Sequence, residues 1–368
     1  MVHGKGKQIL LALAVVSALW GVGYSAEAAS REEIAAVRVN QAGTNFKYWN
    51  NNAEAKQKLV AYVKDVTNPK SPNFIPVEDR IATFDMDGTL IGETTPYYFE
   101  WMLYLDRIFN DPSYTPSEQI LHNAKIVKQA IADNAVTWEI DKMETLDKLT
   151  ILSGLDDEEF DQVVKHAMNQ KTPGLNHITY GEMVYLPMAE VLSYLKANDF
   201  TLYIVSAGNR QIIRHYANGV LPIPSNHIIG CDAVLKARHQ GDLDMADYIF
   251  DVNTDEIITT GQLLERADVT GKAIKIAREI GKKPVLSFGN SMGDAAMHQY
   301  TLSNKKYKTL AFEILCDDTD REYGNLAKAA KIQNACQHYG WIPVSMKNDW
   351  KTIYGENVTK TENKETRI

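Results

Sequence analysis

Short apolar runs that stop at polar, glycine-bearing turns recur along this sequence. Ile81–Phe84 ends at an acidic turn, Leu202–Val205 at Ser206, Val285–Phe288 at Gly289, and Leu310–Leu315 at Cys316-Asp317-Asp318. The later turns lead into helical patterns over Arg210–Tyr216, Ala295–Tyr300 and Leu326–His338. Apolar strands alternating with helices predict an α/β fold: a Rossmann-like, three-layer α/β/α core with a parallel sheet, whose ligands bind beyond the carboxyl ends of the strands. The polar turns should therefore converge on one site.

The pattern departs from this alternation in several places. Residues 31–67 read as helix, with Leu59, Val60, Tyr62 and Val63 on the apolar side, and Asn68-Pro69-Lys70-Ser71-Pro72 ends it. Between the first two strands, Thr95-Pro96 and Thr115-Pro116-Ser117-Glu118 look like capped helix starts with Pro at the first helical position. Helical patterns follow at 137–152 and 157–170 and stop before Pro173. This predicts a helical cap over residues 95–174, inserted into a discontinuous core of residues 30–94 and 175–358. Residues 227–265 read as one or two hairpins on the sheet edge, and the Thr-, Lys- and Glu-rich tail 359–368 as disordered.

The first 29 residues have another texture. Lys5 and Lys7 precede an apolar run from Ile9 to Tyr24, which ends in Ala26-Glu27-Ala28-Ala29. That is the architecture of a cleaved secretory signal, with cleavage near Ala28. The expected protein is exported, as a periplasmic, cell-surface or secreted protein without stable membrane insertion; a retained anchor is the alternative. Cys231, Cys316 and Cys336 allow one disulfide at most.

Composition narrows the function classes. The 368 residues are 45% hydrophobic and 23% charged, enough to bury a large core, and no repeat of solenoid length recurs. A formal charge of -8 without a Lys/Arg block argues against nucleic acid as a partner.

The chemistry concentrates at the strand ends. Asp85-Met86-Asp87-Gly88-Thr89 puts two carboxylates two residues apart, suited to a divalent cation or to nucleophilic and acid–base work, although a plain Asx-turn has the same sequence. Ser206-Ala207-Gly208 offers a hydroxyl and backbone N–H groups at a helix start, which suits phosphate; an ordinary Ser N-cap looks the same. Lys272, after Gly271, could meet a phosphoryl oxygen. Gly289-Asn290-Ser291-Met292-Gly293-Asp294 brings Asn290 and Asp294 to the same rim, both able to bind Mg²⁺.

The order Asp-x-Asp-Gly-Thr, strand–Ser, Lys, Gly-Asn-Ser-x-Gly-Asp resembles the haloacid dehalogenase superfamily, and the insertion resembles the helical cap of its phosphoserine phosphatase-like, exported branch. The resemblance implies a Mg²⁺-dependent phosphomonoesterase acting on a small phosphorylated metabolite. It makes Asp85 the nucleophile that becomes an aspartyl-phosphate, and Asp87 the acid and then base. Ser206, Ala207, Gly208 and Lys272 would hold phosphate, and Asp85, Asp87, Asn290 and Asp294 would hold the metal. Asp87 excludes a dehalogenase, in which the second Asp is absent. Asn290 stands where many relatives have Asp, which leaves open whether Asn290 or Asp294 ligates directly. A phosphomutase and a non-catalytic binding protein on the same scaffold are the alternatives.

Other residues have competing explanations. Glu93 either contacts a substrate ammonium or is structural. Arg210 and Arg214 either reach an anion or pair with carboxylates. The aromatic residues Tyr97, Tyr98, Phe99, Trp101, Tyr104 and Trp138 form either a cation-stacking surface or cap core. Asp317, Asp318 and Asp320 fit a solvated turn.

Overall fold

The computed structural model describes residues 28–93 and 96–361. The expected signal segment therefore lies outside the described residues as far as residue 27, and so does Thr95. Ala28 is buried, and its N–H donates to His177 O at 2.8 Å. Ser30 caps helix α1 (Arg31–Ala35) through a reciprocal capping box with Glu33.

The helix expected over 31–67 is two helices, α1 and α2 (Glu54–Thr67). The chain between them is held by turn chemistry and by tertiary capture rather than by periodicity. Gly43 sits at φ +63°, and Asn40 and Asn45 hydrogen-bond within the turn. Lys47 N–H and Tyr48 N–H both donate to the Glu190 carboxylate, and Trp49 Nε1–H donates to Pro187 O at 2.8 Å.

The core is a sheet with flanking helices. Its strands are β1 (Ile81–Phe84), β3 (Thr201–Asn209), β4 (Ile228–Ala237), β5 (Ile257–Glu265), β6 (Leu286–Gly289), β7 (Leu310–Leu315) and β8 (Ile342–Ser345), in the order β5-β4-β3-β1-β6-β7-β8. All neighbours run parallel except β4 and β5, which form the expected edge hairpin. β1 is fully buried between β3 and β6, as a central parallel strand requires. Helix α2 packs on β8, α7 (Leu186–Ala197) on β3, α8 (Arg210–Ala217) on β3 and β4, α9 (Thr270–Lys275) on β3, α10 (Ala295–Leu302) on β6 and β7, and α11 (Leu326–Tyr339) on β7 and β8. Helix α12 (Met346–Asp349) packs on α2 and β8.

Between β1 and β3 lie α3 (Phe99–Phe109), α4 (Glu118–Ala132), α5 (Trp138–Ile151) and α6 (Asp157–Met168). They pack on one another, and reach the core where α6 meets α8 and where α5 meets β5. Two of these starts differ from the sequence expectation. Helix α3 begins at Phe99, with Tyr98 at the cap, rather than at Pro96. Helix α4 is capped by Ser117, whose hydroxyl accepts from Ile120 N–H, so Thr115-Pro116 lies outside it. Ser is as good a cap as Thr, and here it lies adjacent to the first buried turn.

The tail is ordered at its start. Strand β9 (Thr359–Lys360) pairs antiparallel with β2 (Leu175–Asn176), and Lys360 Nζ donates to Thr319 O at 2.6 Å. These bonds hold Thr359–Thr361, contrary to the disorder expected from composition; residues 362–368 lie outside the described residues. All three cysteines are free. Among the described residues, no helix is long and apolar enough to cross a membrane.

Candidate active site

Three phenylalanines set the register that builds the site. Phe84, Phe288 and Phe312 lie side by side on β1, β6 and β7, with near-parallel rings 4.6 and 4.8 Å apart. With the strands locked in this way, the residues just beyond Phe84 and Phe288 emerge at one rim. Asp85 N–H donates to Phe288 O at 2.9 Å, continuing the ladder one step past the strand.

The acidic turn then closes on itself. Gly88 N–H donates to Ile91 O (2.7 Å) and Leu90 N–H to Met86 O (2.8 Å). Gly88 has φ +77°, and a Cβ there would stand 1.8 Å from Asn290 Nδ2 and 2.6 Å from Glu93 Cδ. Only glycine fits this position.

Lys272 is the centre of the cluster. It is almost fully buried, and its Nζ lies 2.6 Å from Asp85 Oδ1 and 2.5 Å from Asp294 Oδ1. The helix that carries it, α9, is short and passes into a π-helical turn over Ile276–Ile280. Its N-cap is Val269, a β-branched residue at φ +45° that lines a cavity together with Asp85, Asp87 and Lys272.

Asp294 is engaged through both of its oxygens. Its Oδ1 meets Lys272, while its Oδ2 accepts from Asn290 N–H at 3.1 Å, Ser291 N–H at 3.2 Å and Ser291 Oγ–H at 3.3 Å. Asn290, in contrast, lines the cavity. Of the two candidates left open by the sequence, Asn290 lines the cavity, whereas Asp294 folds the loop and anchors Lys272.

The charges perturb one another strongly. Burial, then Asp294, push the Asp85 carboxyl up, to about 6, against the pull of Lys272. Burial, then the negative charges of Glu100, Asp85 and Glu93, push Asp87 well above the carboxylate range. Burial opposes the charge on Lys272, but Asp294 and Asp85 outweigh it and hold its pKa above the usual value.

The phosphate turn differs from the expectation. Strand β3 runs on through Ser206, Ala207 and Gly208 to Asn209, which pairs with Cys231, and Asn209 rather than Ser206 caps α8. Two of the N–H groups are engaged: Gly208 N–H donates to Ser206 Oγ (3.0 Å), and Asn209 N–H to Glu100 Oε1 (2.6 Å). What faces the cavity is the Ser206–Gly208 edge of an extended strand, not a helix terminus.

Sequence reasoning missed a buried ionic cluster on the cap side. Glu100 (α3) pairs with Lys148 Nζ (α5) at 2.7 Å, and Lys148 also meets Glu144 at 3.2 Å. All three line a cavity of about 270 Å³ together with Asp85, Asp87 and Lys272. Arg266, from β5's end, stacks on Trp138 at 5.2 Å and pairs with Asp268 at the same wall. The available signal was a glutamate within the otherwise apolar Tyr97–Leu105 segment.

The other candidates fall outside the centre. Glu93 is buried and pairs with Lys328 Nζ at 2.5 Å, while still lining the cavity. Arg210 is held by Asp232 and Glu279, and Arg214 Nε–H donates to Ser225 O. Asp317 accepts from Ser345 and Asp318 pairs with Arg321, so these two are structural, whereas Asp320 is exposed and meets Lys347 on the surface, as a solvated turn predicts. Phe99, Trp101 and Tyr104 are cap core, whereas Tyr98 and Trp101 also reach the cavity wall.

One turn along α10 from Asp294, a buried polar chain continues. Ser287 Oγ lies 2.7 Å from His298 Nδ1, and His298 Nε2 lies 3.2 Å from Glu313 Oε1, without hydrogen-bond alignment. Burial lowers His298 to about 4 and raises Glu313 well above its ordinary value of 4.5. The folded pair is thus a neutral imidazole and a protonated carboxyl. Between about pH 4 and 4.5 the unfolded chain binds one proton more than the folded one, and between 4.5 and 6.5 the two bind equally. Above 6.5 the unfolded chain has lost both protons while the folded chain keeps one, so stability falls as pH rises, by up to about 1.4 kcal/mol per unit. Thermal melting of Glu313→Gln is expected to lack this alkaline decline; an unchanged slope would contradict it.

A mostly parallel α/β sheet with carboxylates at the end of its central strand, a buried lysine between Asp85 and the Asp294 of the loop after β6, and helices inserted after the first strand point to one class of hydrolases. The sequence matches the haloacid dehalogenase-like hydrolases over residues 80–297, and the chain belongs to that family. No curated relative matches the sequence. Among solved structures, a conserved protein of unknown function from Anaerococcus prevotii DSM 20548 is similar, with 14% identity and a TM-score of 0.48, over 82% of this chain and 95% of that one. Cytosolic 5'-nucleotidase IIIB bound to cytidine matches with 12% identity and a TM-score of 0.45, over 77% and 84%. A phosphoserine phosphohydrolase-like protein from Francisella tularensis subsp. tularensis SCHU S4 matches with 16% identity and a TM-score of 0.34, over 69% and 99%. At these scores the likenesses carry no argument about activity.

Proposed function

We propose that the protein is a Mg²⁺-dependent phosphomonoester hydrolase acting on a small phosphorylated metabolite. The observation that carries this reading is the Lys272 ammonium held between Asp85 and Asp294 at the floor of the cavity. It leaves Asp85 immobile, oriented and next to a fixed positive charge, which is what attack on a phosphoryl group needs.

In the first step an Asp85 carboxylate oxygen attacks phosphorus, the ester P–O bond breaks, and Asp87 gives its proton to the departing oxygen. The raised affinity of Asp87 for its proton fits it for that donation. In the second step Asp87 takes a proton from water, the resulting hydroxide attacks phosphorus, and phosphate leaves while the Asp85 carboxylate is regenerated. Lys272 and the Ser206–Gly208 edge hold the phosphoryl oxygens throughout.

The residues fit a hard cation. Among the described residues no group of three or more His, Cys, Asp or Glu forms a ready site. The donors are instead all oxygen, from Asp85, Asn290 and the Asp87 backbone carbonyl. Mg²⁺ suits such a sparse set, since it keeps waters and shares substrate phosphate oxygens. Burial first, and then the Asp294 charge, already raise Asp85, so a bound cation would favour its ionised form. When bound, the cation would neutralise phosphoryl oxygens during transfer.

Chelator is therefore expected to abolish p-nitrophenyl phosphate hydrolysis, and Mg²⁺ to restore it. Turnover that persists in excess EDTA would sink the metal-dependent reading. Export with cleavage near Ala28 is part of the proposal, checked by N-terminal sequencing of the protein outside the cytoplasm.

A further inference from the structure

A second, larger depression opens beside the catalytic cavity, and its electrostatic character is the reverse. It measures about 1120 Å³ and shares Glu93 and Tyr98 with the cavity, so the two are joined at the Glu93–Lys328 ion pair. Four lysines enter its wall from three separate parts of the fold: Lys125 and Lys128 from α4, Lys328 from α11, and Lys360 from β9. Among the described residues of that wall Glu93 is the one acid, and Lys328 already neutralises it. A protein with a net charge of -8 has thus gathered cations at this place, while acids outnumber bases in the adjoining cavity.

Three further features make the groove more than a patch of surface charge. The amino terminus of the 14-residue helix α11 opens into it, with Asn325 as cap and Lys328 in the first turn, adding the positive end of the helix dipole to the lysines. Lys360 is oriented, because its Nζ donates to Thr319 O and lies 4.9 Å above the Tyr323 ring. Tyr97 and Tyr98, in edge-to-face contact at 4.6 Å, provide an aromatic step between groove and cavity.

We propose that this groove binds a second anionic group carried by the leaving group of the phosphoester, so that the preferred substrates are bis-anionic: one phosphoryl group at Asp85 and another phosphate or carboxylate among Lys125, Lys128 and Lys328. The inference rests on the phosphohydrolase reading for its orientation, with the scissile group in the cavity and the distal anion in the groove. A distal anion would also compete with Glu93 for Lys328, which couples occupancy of the groove to the wall of the catalytic cavity.

The test uses an alkanediol bisphosphate and the alkyl monophosphate of the same chain length, on the full protein with Mg²⁺. The bisphosphate is expected to show a higher kcat/KM than the monophosphate, and raised salt should erode the difference. In Lys125→Glu/Lys128→Glu the ratio of the two kcat/KM values should fall about tenfold, as expected for reversing two exposed charges at once. Calorimetric titration of bisphosphate into Asp85→Asn, with and without the two lysine changes, reads the groove independently of turnover. Lysine-dependent binding without hydrolysis of any ester would overturn the phosphohydrolase reading and keep the groove. Hydrolysis of both esters with equal kcat/KM, together with binding that ignores the lysine changes, would overturn the groove and keep the phosphohydrolase.

Discussion

Asp85→Asn is expected to lower phosphoester turnover by at least about 10⁴-fold, equivalent to about 5.5 kcal/mol of barrier, because it removes the nucleophile of the proposed reaction and leaves only positioning. The same change should leave the protein folded and no less stable. Asp85 is a buried carboxylate raised by burial and by Asp294, so the native state already disfavours its charge. An amide of the same shape removes that repulsion, and Lys272 keeps Asp294 as its partner at 2.5 Å. Steady-state kinetics and thermal melting on one preparation read both halves. Retained turnover would exclude Asp85 as nucleophile, whereas lost turnover with a collapsed melting temperature would mean that its role is structural.

What the sequence disclosed and what it withheld follow from the same physics. The strands around Ile81–Phe84, Leu202–Val205, Val285–Phe288 and Leu310–Leu315 were legible because buried parallel strands need unbroken apolar runs, and each run ends where backbone must turn. Asp85, Asn290 and Lys272 were legible as residue types at strand and helix ends, and the structure brings them to one rim. The direction of Asp294 was not, since its two oxygens are claimed by Lys272 and by loop amides that only folding brings near. Glu100, Glu144 and Lys148 were hidden for a related reason. Spacing identifies an i,i+4 pair such as Glu144 and Lys148, but not that both are buried or that Glu100 from another helix completes them. The break between α1 and α2 was invisible because its cause, the Glu190 carboxylate, lies far along the chain.

Lys272→Met tests whether the lysine is a structural keystone as well as the phosphate ligand of the proposed reaction. It leaves Asp85 and Asp294 buried without their shared cation, and breaking a buried pair by removing one partner costs about 3–5 kcal/mol. Lys272 is what holds Asp294 below its ordinary value and opposes the rise of Asp85, so both carboxyls would gain proton affinity when it is lost. A group whose folded pKa rises above its unfolded value favours the folded state least when ionised in solution. The deficit is therefore expected at full size near pH 7.5 and to shrink toward pH 5, as the buried carboxyls take up protons. Denaturant unfolding of both proteins at the two pH values, with chelator present, measures it. A deficit below about 1 kcal/mol, or one that ignores pH, would show that Lys272 does not hold these carboxylates together. Turnover should fall by roughly 10³-fold at either pH, because the stability recovered by protonation does not return the positive charge that the proposed reaction sets against the phosphoryl oxygens.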